Sequence, residues 1–248
     1  MSIIKTEALL LKKINFQDSS HIIHFYTREE GKISVIAKGA RQIKSQYRGY
    51  LEPLNHLSII YYEKSTREVQ ILSKVDLIKN FLPDTNDMKS YYLGLAILES
   101  LDKLVHHNEE NEKLFDMTIN VLHFMDRNPG QSDIGFILFL LGAIKFLGYQ
   151  IDFQHCQYCG RELQGFYFDE KNPQPLCYHC SNPDFETITG HQLTWLRYID
   201  SLNLLQSFKQ IKSVEKSGEI IEFLLLYAGM YFDFYPKLHS LELLKYLK

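Results

Sequence analysis

The 248-residue chain has no apolar run long enough to cross a bilayer, no catalytic signature and only four cysteines, and each scarcity excludes a class of protein. The longest apolar stretch, Ile134 to Ile144, holds eleven residues between Asp133 and Lys145, against the roughly 20 that a spanning helix requires. It reads as a buried core helix. At the N-terminus, Lys5, Glu7, Lys12 and Lys13 surround a short Ala8 to Leu11 stretch, without the apolar segment and small-residue cleavage site of a signal peptide. The expected setting is therefore a reducing cytoplasm. No GxSxG, HExxH or dinucleotide-binding glycine pattern occurs. Gly31-Lys32 fails as a phosphate loop, because Tyr26 stands where the first glycine belongs and Ile33 where a hydroxyl residue belongs. Asp84 with Asp87 reads as a helix start, Glu109 with Glu110 and Glu112 as a solvated loop, and His106-His107 as a helix end. No enzymatic activity is expected, and there is no internal repeat or low-complexity segment.

The four cysteines form two pairs at one spacing: Cys156-Gln-Tyr-Cys159, seventeen residues, then Cys177-Tyr-His-Cys180. Each CxxC turn can aim two sulfurs at one point, and two such turns complete the tetrahedron that zinc prefers. One structural Zn2+ on Cys156, Cys159, Cys177 and Cys180 is expected. Two disulfides are the reading for a secreted chain, and a redox CxxC is normally a single motif at a helix start. A four-thiolate site has no open position for chemistry, and a deaminase-like centre would need a glutamate two residues after a ligand. His155-x-Gln157 and His179-x-Ser181 lack it, so both histidines are expected to be bystanders.

The formal net charge of −3 hides an asymmetry. Residues 1–80 hold 13 Lys+Arg against 8 Asp+Glu, net +5, whereas the remainder holds 14 against 22, net −8. Lys32, Lys38, Arg41, Lys44 and Arg48 fall in one stretch without an acidic residue. A polyanion would meet its positive patch here, although a solvated loop has the same composition.

Residues 1–80 read as five short strands, at Glu7 to Lys13, His21 to Thr27, Lys32 to Lys38, His56 to Tyr62 and Glu68 to Val75, with Glu29-Glu30-Gly31 as a hairpin turn. Five strands in so few residues suit a closed barrel, and an oligonucleotide-binding (OB) barrel is the common solution at this size. Residues 81–248 read as helical, with Leu93, Ile97, Leu101 and Leu104 on one face, a second helix ending at Asn128-Pro129-Gly130, and a third capped by Ser132 or Asp133. Thr189 is expected to cap a helix, another to span Val214 to about Ala228, and a last to run from Lys237. The expected fold class is α+β: an N-terminal five-stranded OB barrel, then an all-helical domain with an inserted four-cysteine zinc module at about 151–185.

That order of parts, with Lys38-Gly39-Ala40-Arg41, Lys44-Ser45 and Leu51-Glu52-Pro53, resembles the bacterial recombination mediator family RecO. Glu7-Ala8-Leu9-Leu10-Leu11, Asp18-Ser19-Ser20, Phe25-Tyr26-Thr27 before Gly31, and Leu238-His239-Ser240 followed by Leu243-Leu244 extend the likeness over nearly the whole chain. The resemblance implies a DNA repair and recombination mediator, cytoplasmic and nucleoid-associated. Such a protein binds single- and double-stranded DNA, anneals complementary strands, contacts the C-terminal tail of the single-stranded-DNA-binding protein, and with RecR helps load RecA. It places DNA contact on Lys38, Arg41, Lys44 and Arg48, with Lys32 as a further cation of the run. Two positions depart from the pattern: Gln42 stands where an arginine is frequent and His239 where a lysine is frequent. Of Tyr47, Tyr50, Tyr61 and Tyr62, Tyr47 is the candidate for stacking on bases, because it lies between Lys44 and Arg48. The alternative is a protein-only adaptor that works through its helices.

Overall fold

The computed structural model describes residues 2–82, 87–107, 109–182, 184–206, 208, 211, 213–232 and 238–244. The chain opens with β1 (Ser2–Phe16), β2 (Ser20–Thr27), β3 (Gly31–Ala37), β4 (Asn55–Glu63) and β5 (Gln70–Asn80). They form a closed barrel in the order β1-β2-β3-β5-β4, antiparallel except where β3 meets β5. This is the OB arrangement expected from the sequence. Alternation supplies the interior: Ala8 and Leu10, Ile23 and Phe25, Ile33 and Val35, Leu57, Ile59 and Tyr61, and Leu72 and Val75 all point inward. β1 closes the ring by pairing with β4 through Ser2 to Leu9 and with β2 through Ala8 to Phe16. A register shift between Leu10 and Lys12 bends it between the two partners.

The helices α1 (Met88–Leu104), α2 (Glu112–Arg127) and α3 (Ser132–Phe146) follow. Asp87 accepts the Ser90 N–H to cap α1, and Asn111 accepts that of Leu114 to cap α2. Asp84 lies outside the described residues. Every residue of α3 from Ile134 to Ile144 is buried, as its all-round apolar sequence requires. Its N-cap is Gln131, not Ser132 or Asp133: the Asp133 carboxylate is taken by Lys89 Nζ at 2.7 Å and Ser217 Oγ at 2.9 Å, while Ser132 is buried.

A small sheet of β6 (Phe166–Asp169), β7 (Asn172–Leu176) and β8 (Glu186–Ile188), in the order β7-β6-β8, carries the cysteines between α3 and α4 (Gly190–Asp200). Thr189 and Gln192 form a reciprocal capping box at the start of α4. Gly190 is required there, since a Cβ would lie 2.4 Å from the Gln164 carbonyl. Then come α5 (Ser217–Tyr231) and α6 (His239–Leu244). Helix α5 starts three residues later than the sequence suggested because Lys216 takes a left-handed conformation, φ 53°, which breaks the helical path from Val214. Lys237, the expected start of the last helix, lies outside the described residues.

The barrel interior is one core, and a second core, formed by the helices and the cysteine module, takes in four buried residues of the N-terminal part. Leu9, Tyr26, Leu54 and Phe81 pack with α1, α2 and α3, and the Tyr26 hydroxyl donates to the Asn111 carbonyl at 3.1 Å. Around this contact lie polar ties. Arg28 grips both Asp116 oxygens at 2.8 and 3.0 Å, Lys79 meets Asp126 at 2.9 Å, and Lys32 meets Asp102 at 2.7 Å. Gly31 permits the close approach: its φ is +65°, and a Cβ would fall 2.2 Å from the Glu109 carbonyl oxygen.

Candidate nucleic-acid interface and metal centre

The connection from Lys38 to Leu54 carries the cationic run, and its backbone is fastened at several points. Arg41 N–H donates to Ser19 O at 2.9 Å, Asn55 Nδ2 donates to Tyr50 O at 2.9 Å, and Lys13 Nζ donates to Leu51 O at 2.8 Å. Leu51 and Leu54 are buried beneath it. A segment without strands or helices thus holds a defined path across the barrel.

Lys38, Arg41, Lys44 and Arg48 are all exposed, and none forms a salt bridge among the described residues. Arg41 Nη1 donates to Gln17 O at 3.1 Å and Arg48 Nη1 to Ile43 O at 3.3 Å. These acceptors are neutral carbonyls, which orient a guanidinium without cancelling its charge. The four cations therefore present an unneutralised field to solvent, the condition for attracting a polyanion.

Two expected DNA-contacting residues are corrected. Lys32 does not belong to the free set: its side chain is 12% exposed, and Nζ is consumed by Asp102 Oδ1 at 2.7 Å and Asp102 O at 2.5 Å. Tyr47 is 5% exposed and its hydroxyl donates to Leu72 O at 3.0 Å, so the ring is a peg holding the connection to β5 and offers no face to a base. Tyr61 is buried as well. The sequence showed both residues among cations but not the partners that bury them, 70 and 25 positions away.

In the cysteine module, all four thiols are free of disulfides and their sulfurs lie within 4.8 Å of one another. Cys159 and Cys177 sulfurs are 3.6 Å apart. Sulfurs about 2.3 Å from a central zinc stand about 3.8 Å from each other, so the cluster fits that ion. The turns are knuckles: Gly160 N–H donates to Cys156 O at 2.9 Å, Cys180 N–H to Cys177 O at 2.9 Å, and Gln157 N–H to Pro175 O at 3.0 Å joins the two. Burial works against charge on Cys156, but main-chain N–H groups of Cys177, Cys159 and Tyr158 outweigh it and bring the thiol down to about 6. Cys180 is pushed up to about 12, first by its hydrogen bond with Cys159 and then by burial. Four sulfurs this close repel each other as thiolates, and a cation among them removes the repulsion. His155 turns to Asp152 at 3.2 Å and His179 is exposed, so neither joins the cluster. Arg197 of α4 ties the module down by donating to Phe153 O at 3.0 Å and Leu163 O at 3.1 Å.

A five-stranded barrel, helices and an inserted four-cysteine module are also where known sequences match. The family described as "Recombination protein O N terminal" matches residues 1–81, and "Recombination protein O C terminal" matches residues 85–232. The chain belongs to the RecO family. A DNA repair protein RecO of Chlorobium limicola is 32% identical over 161 residues, which are 65% of this chain and 62% of that protein. The chain thus spans less than two thirds of the length of that relative. A RecO of Caldanaerobacter subterraneus is 25% identical over 224 residues, 90% of this chain and 88% of the relative. The N-terminal RecO match coincides with the barrel, and the C-terminal RecO match takes in α1 to α5 with the cysteine module. Among the described residues, no helix is long and apolar enough to cross a membrane.

Proposed function

We propose that this RecO-family chain is a non-enzymatic DNA repair and recombination mediator. Its barrel, residues 1–80, holds single- and double-stranded DNA through Lys38, Arg41, Lys44 and Arg48. The single observation that carries the reading is that these four cations stand exposed on one fastened connection, with no salt bridge among the described residues. Their role is phosphate neutralisation with release of counterions, which is independent of sequence and weakens with salt. Holding two strands by their backbones leaves base edges free to pair, which is what annealing requires. Residues 81–248 hold the protein partners: RecR, with which the chain helps load RecA, and the C-terminal tail of the single-stranded-DNA-binding protein. The protein acts in the cytoplasm at the nucleoid.

The cysteine cluster supports a zinc held by Cys156, Cys159, Cys177 and Cys180. When bound, the metal supplies cohesion and no reaction, since four thiolates fill its tetrahedron.

Replacing Lys38, Arg41 and Lys44 together by alanine tests the reading. Binding to a single-stranded oligonucleotide at about 50 mM salt should weaken, and the slope of log affinity against log salt should flatten by about two to three units, with the thermal transition unmoved. An unchanged slope, or a parent protein that binds no DNA at low salt, favours the adaptor alternative, in which the barrel is only a platform for proteins.

A further inference from the structure

The most exposed large hydrophobic side chain among the described residues is Ile43, at 85%, and it lies between two of the free cations. Its backbone position is fixed. Gln42 O accepts the Ser45 N–H at 3.0 Å, closing a turn with Ile43 and Lys44 at its two central positions. Gly39 O accepts the Gln42 N–H at 3.1 Å, and the Arg48 guanidinium binds the carbonyl of Ile43 itself at 3.3 Å. Turn tips ordinarily carry Gly, Pro, Asn, Asp or Ser. A β-branched aliphatic chain there has little rotamer freedom left to lose on contact.

The surface beside this turn is apolar too. Arg41 is bound through both its main chain and its guanidinium to the β1–β2 turn at Gln17 and Ser19. That turn is entered by Phe16, 37% exposed, two residues after Ile14, 40% exposed. Strand register sets Ile14 opposite Ile22, and Ile22 opposite Ile36, so these three form one row across β1, β2 and β3. Ile23 and Val35, the chain neighbours of Ile22 and Ile36, face inward, and Ile14 pairs with Ile22 beyond the register shift of β1, which leaves the row on the outer face.

We propose that Ile43 is a nucleobase-contacting wedge, and that the row beginning at Ile14 continues the apolar track on which unpaired bases of a nucleic-acid strand lie. The inference rests on the reading of Lys38, Arg41, Lys44 and Arg48 as phosphate contacts. A ligand suited to this surface must be anionic at regular spacing and must also offer flat apolar faces. An unpaired strand offers both, whereas a stacked duplex hides its base faces unless a step is opened. The wedge makes the connection prefer single strands, and it takes the role that the sequence suggested for Tyr47.

The test compares the full-length protein with Ile43→Ser, Ile43→Phe and Lys44→Ala. Binding is read by anisotropy on a single-stranded oligonucleotide and on a blunt duplex, together with the fluorescence of 2-aminopurine in the single strand. Ile43→Ser should weaken single-strand binding about fivefold, remove the 2-aminopurine change, and leave the salt slope and duplex affinity within about twofold of the parent. Ile43→Phe should bind the single strand more tightly than the parent. Lys44→Ala should lower the salt slope by about one unit while keeping the 2-aminopurine change. Parent-like single-strand binding by both Ile43 variants overturns the wedge. So does binding of the parent to vesicles of anionic lipid that Ile43→Ser abolishes while its DNA binding stays intact, which would make the turn a lipid-inserting element. If the parent binds neither oligonucleotide, the phosphate-contact reading has failed before the wedge is reached, and the two failures are distinguishable.

Discussion

The barrel and the cysteine module are both small β structures, but they use their reactive side chains in opposite ways. The barrel closes five strands into a ring, so main-chain hydrogen bonds and an alternating interior hold its shape. The module has strands of four, five and three residues, too few to enclose a core, and it directs all four cysteines at one point. A group that holds a fold together is lost to other chemistry. The same distinction divides the barrel's own cations. Arg28, Lys32 and Lys79 meet carboxylates of the helices and fasten the junction, whereas Lys38, Arg41, Lys44 and Arg48 meet none among the described residues. Residue type is identical in the two sets; what differs is whether a carboxylate faces the side chain.

The contrast breaks most visibly at the sulfurs. Cys177→Ser, or removal of metal by a chelator, should lower the stability of the module by on the order of 5 kcal/mol, because a structural metal site contributes its binding energy to folding. Hydrogen exchange is the measurement: amides of residues 154–188 should lose protection while those of β2 and β3 keep it. Equal loss in both regions would mean that the barrel depends on the module, and the contrast would be wrong.

A smaller effect separates the two sets of cations. Asp102→Asn leaves the Lys32 ammonium facing neutral oxygens at residue 102, with no opposing charge there, in a site where its side chain is 12% exposed, at a cost of about 2 kcal/mol. Lys38→Ala should change stability by less than about 0.5 kcal/mol, as ordinary surface substitutions do. Urea unfolding of both variants decides it, and equal costs would remove the distinction between junction cations and exposed ones.

What the sequence could reveal follows the same division between local and distant causes. The five strands, the caps at Asp87 and Thr189 and the paired CxxC turns are local patterns, and each is found, although β5 spans Gln70–Asn80 where its own residues suggested Glu68 to Val75. β1 runs from Ser2 to Phe16, beyond the Glu7 to Lys13 that its own residues suggested, because β4 and β2 extend far enough to pair with its ends, as Ser2 opposite Glu63 and Phe16 opposite Ser20. Lys32 and Tyr47 were misread for a related reason: their partners come from α1 and β5. Ile43 gave no signal, since an isoleucine in a sequence window looks the same whether it is buried or wholly exposed. Local periodicity thus located the elements and the four-cysteine cluster, while tertiary contacts decided which cations stay without a carboxylate partner among the described residues.

An effect smaller than that at Asp102 concerns a carboxylate committed to structure in the helical region. Glu99 on α1 accepts the main-chain N–H of His239 at 2.9 Å and that of Ser240 at 3.1 Å, and also the Ser240 hydroxyl at 3.0 Å, so that it caps α6 from across the bundle. Burial raises its pKa, but these donors and then Lys103 outweigh that and hold the carboxyl below the ordinary glutamate range. A depressed folded-state value means that the stabilisation is fully present above the unfolded value and is lost as pH falls through the folded one. Glu99→Gln should therefore cost about 1 kcal/mol near pH 7, and the difference from the parent should shrink toward zero as the solution is acidified through that lowered value. Urea unfolding at neutral and acidic pH measures it. A difference that stays constant with pH would show that the amide replaces the carboxylate as a hydrogen-bond acceptor with a fixed deficit, and that the charge of Glu99 contributes nothing to docking α6.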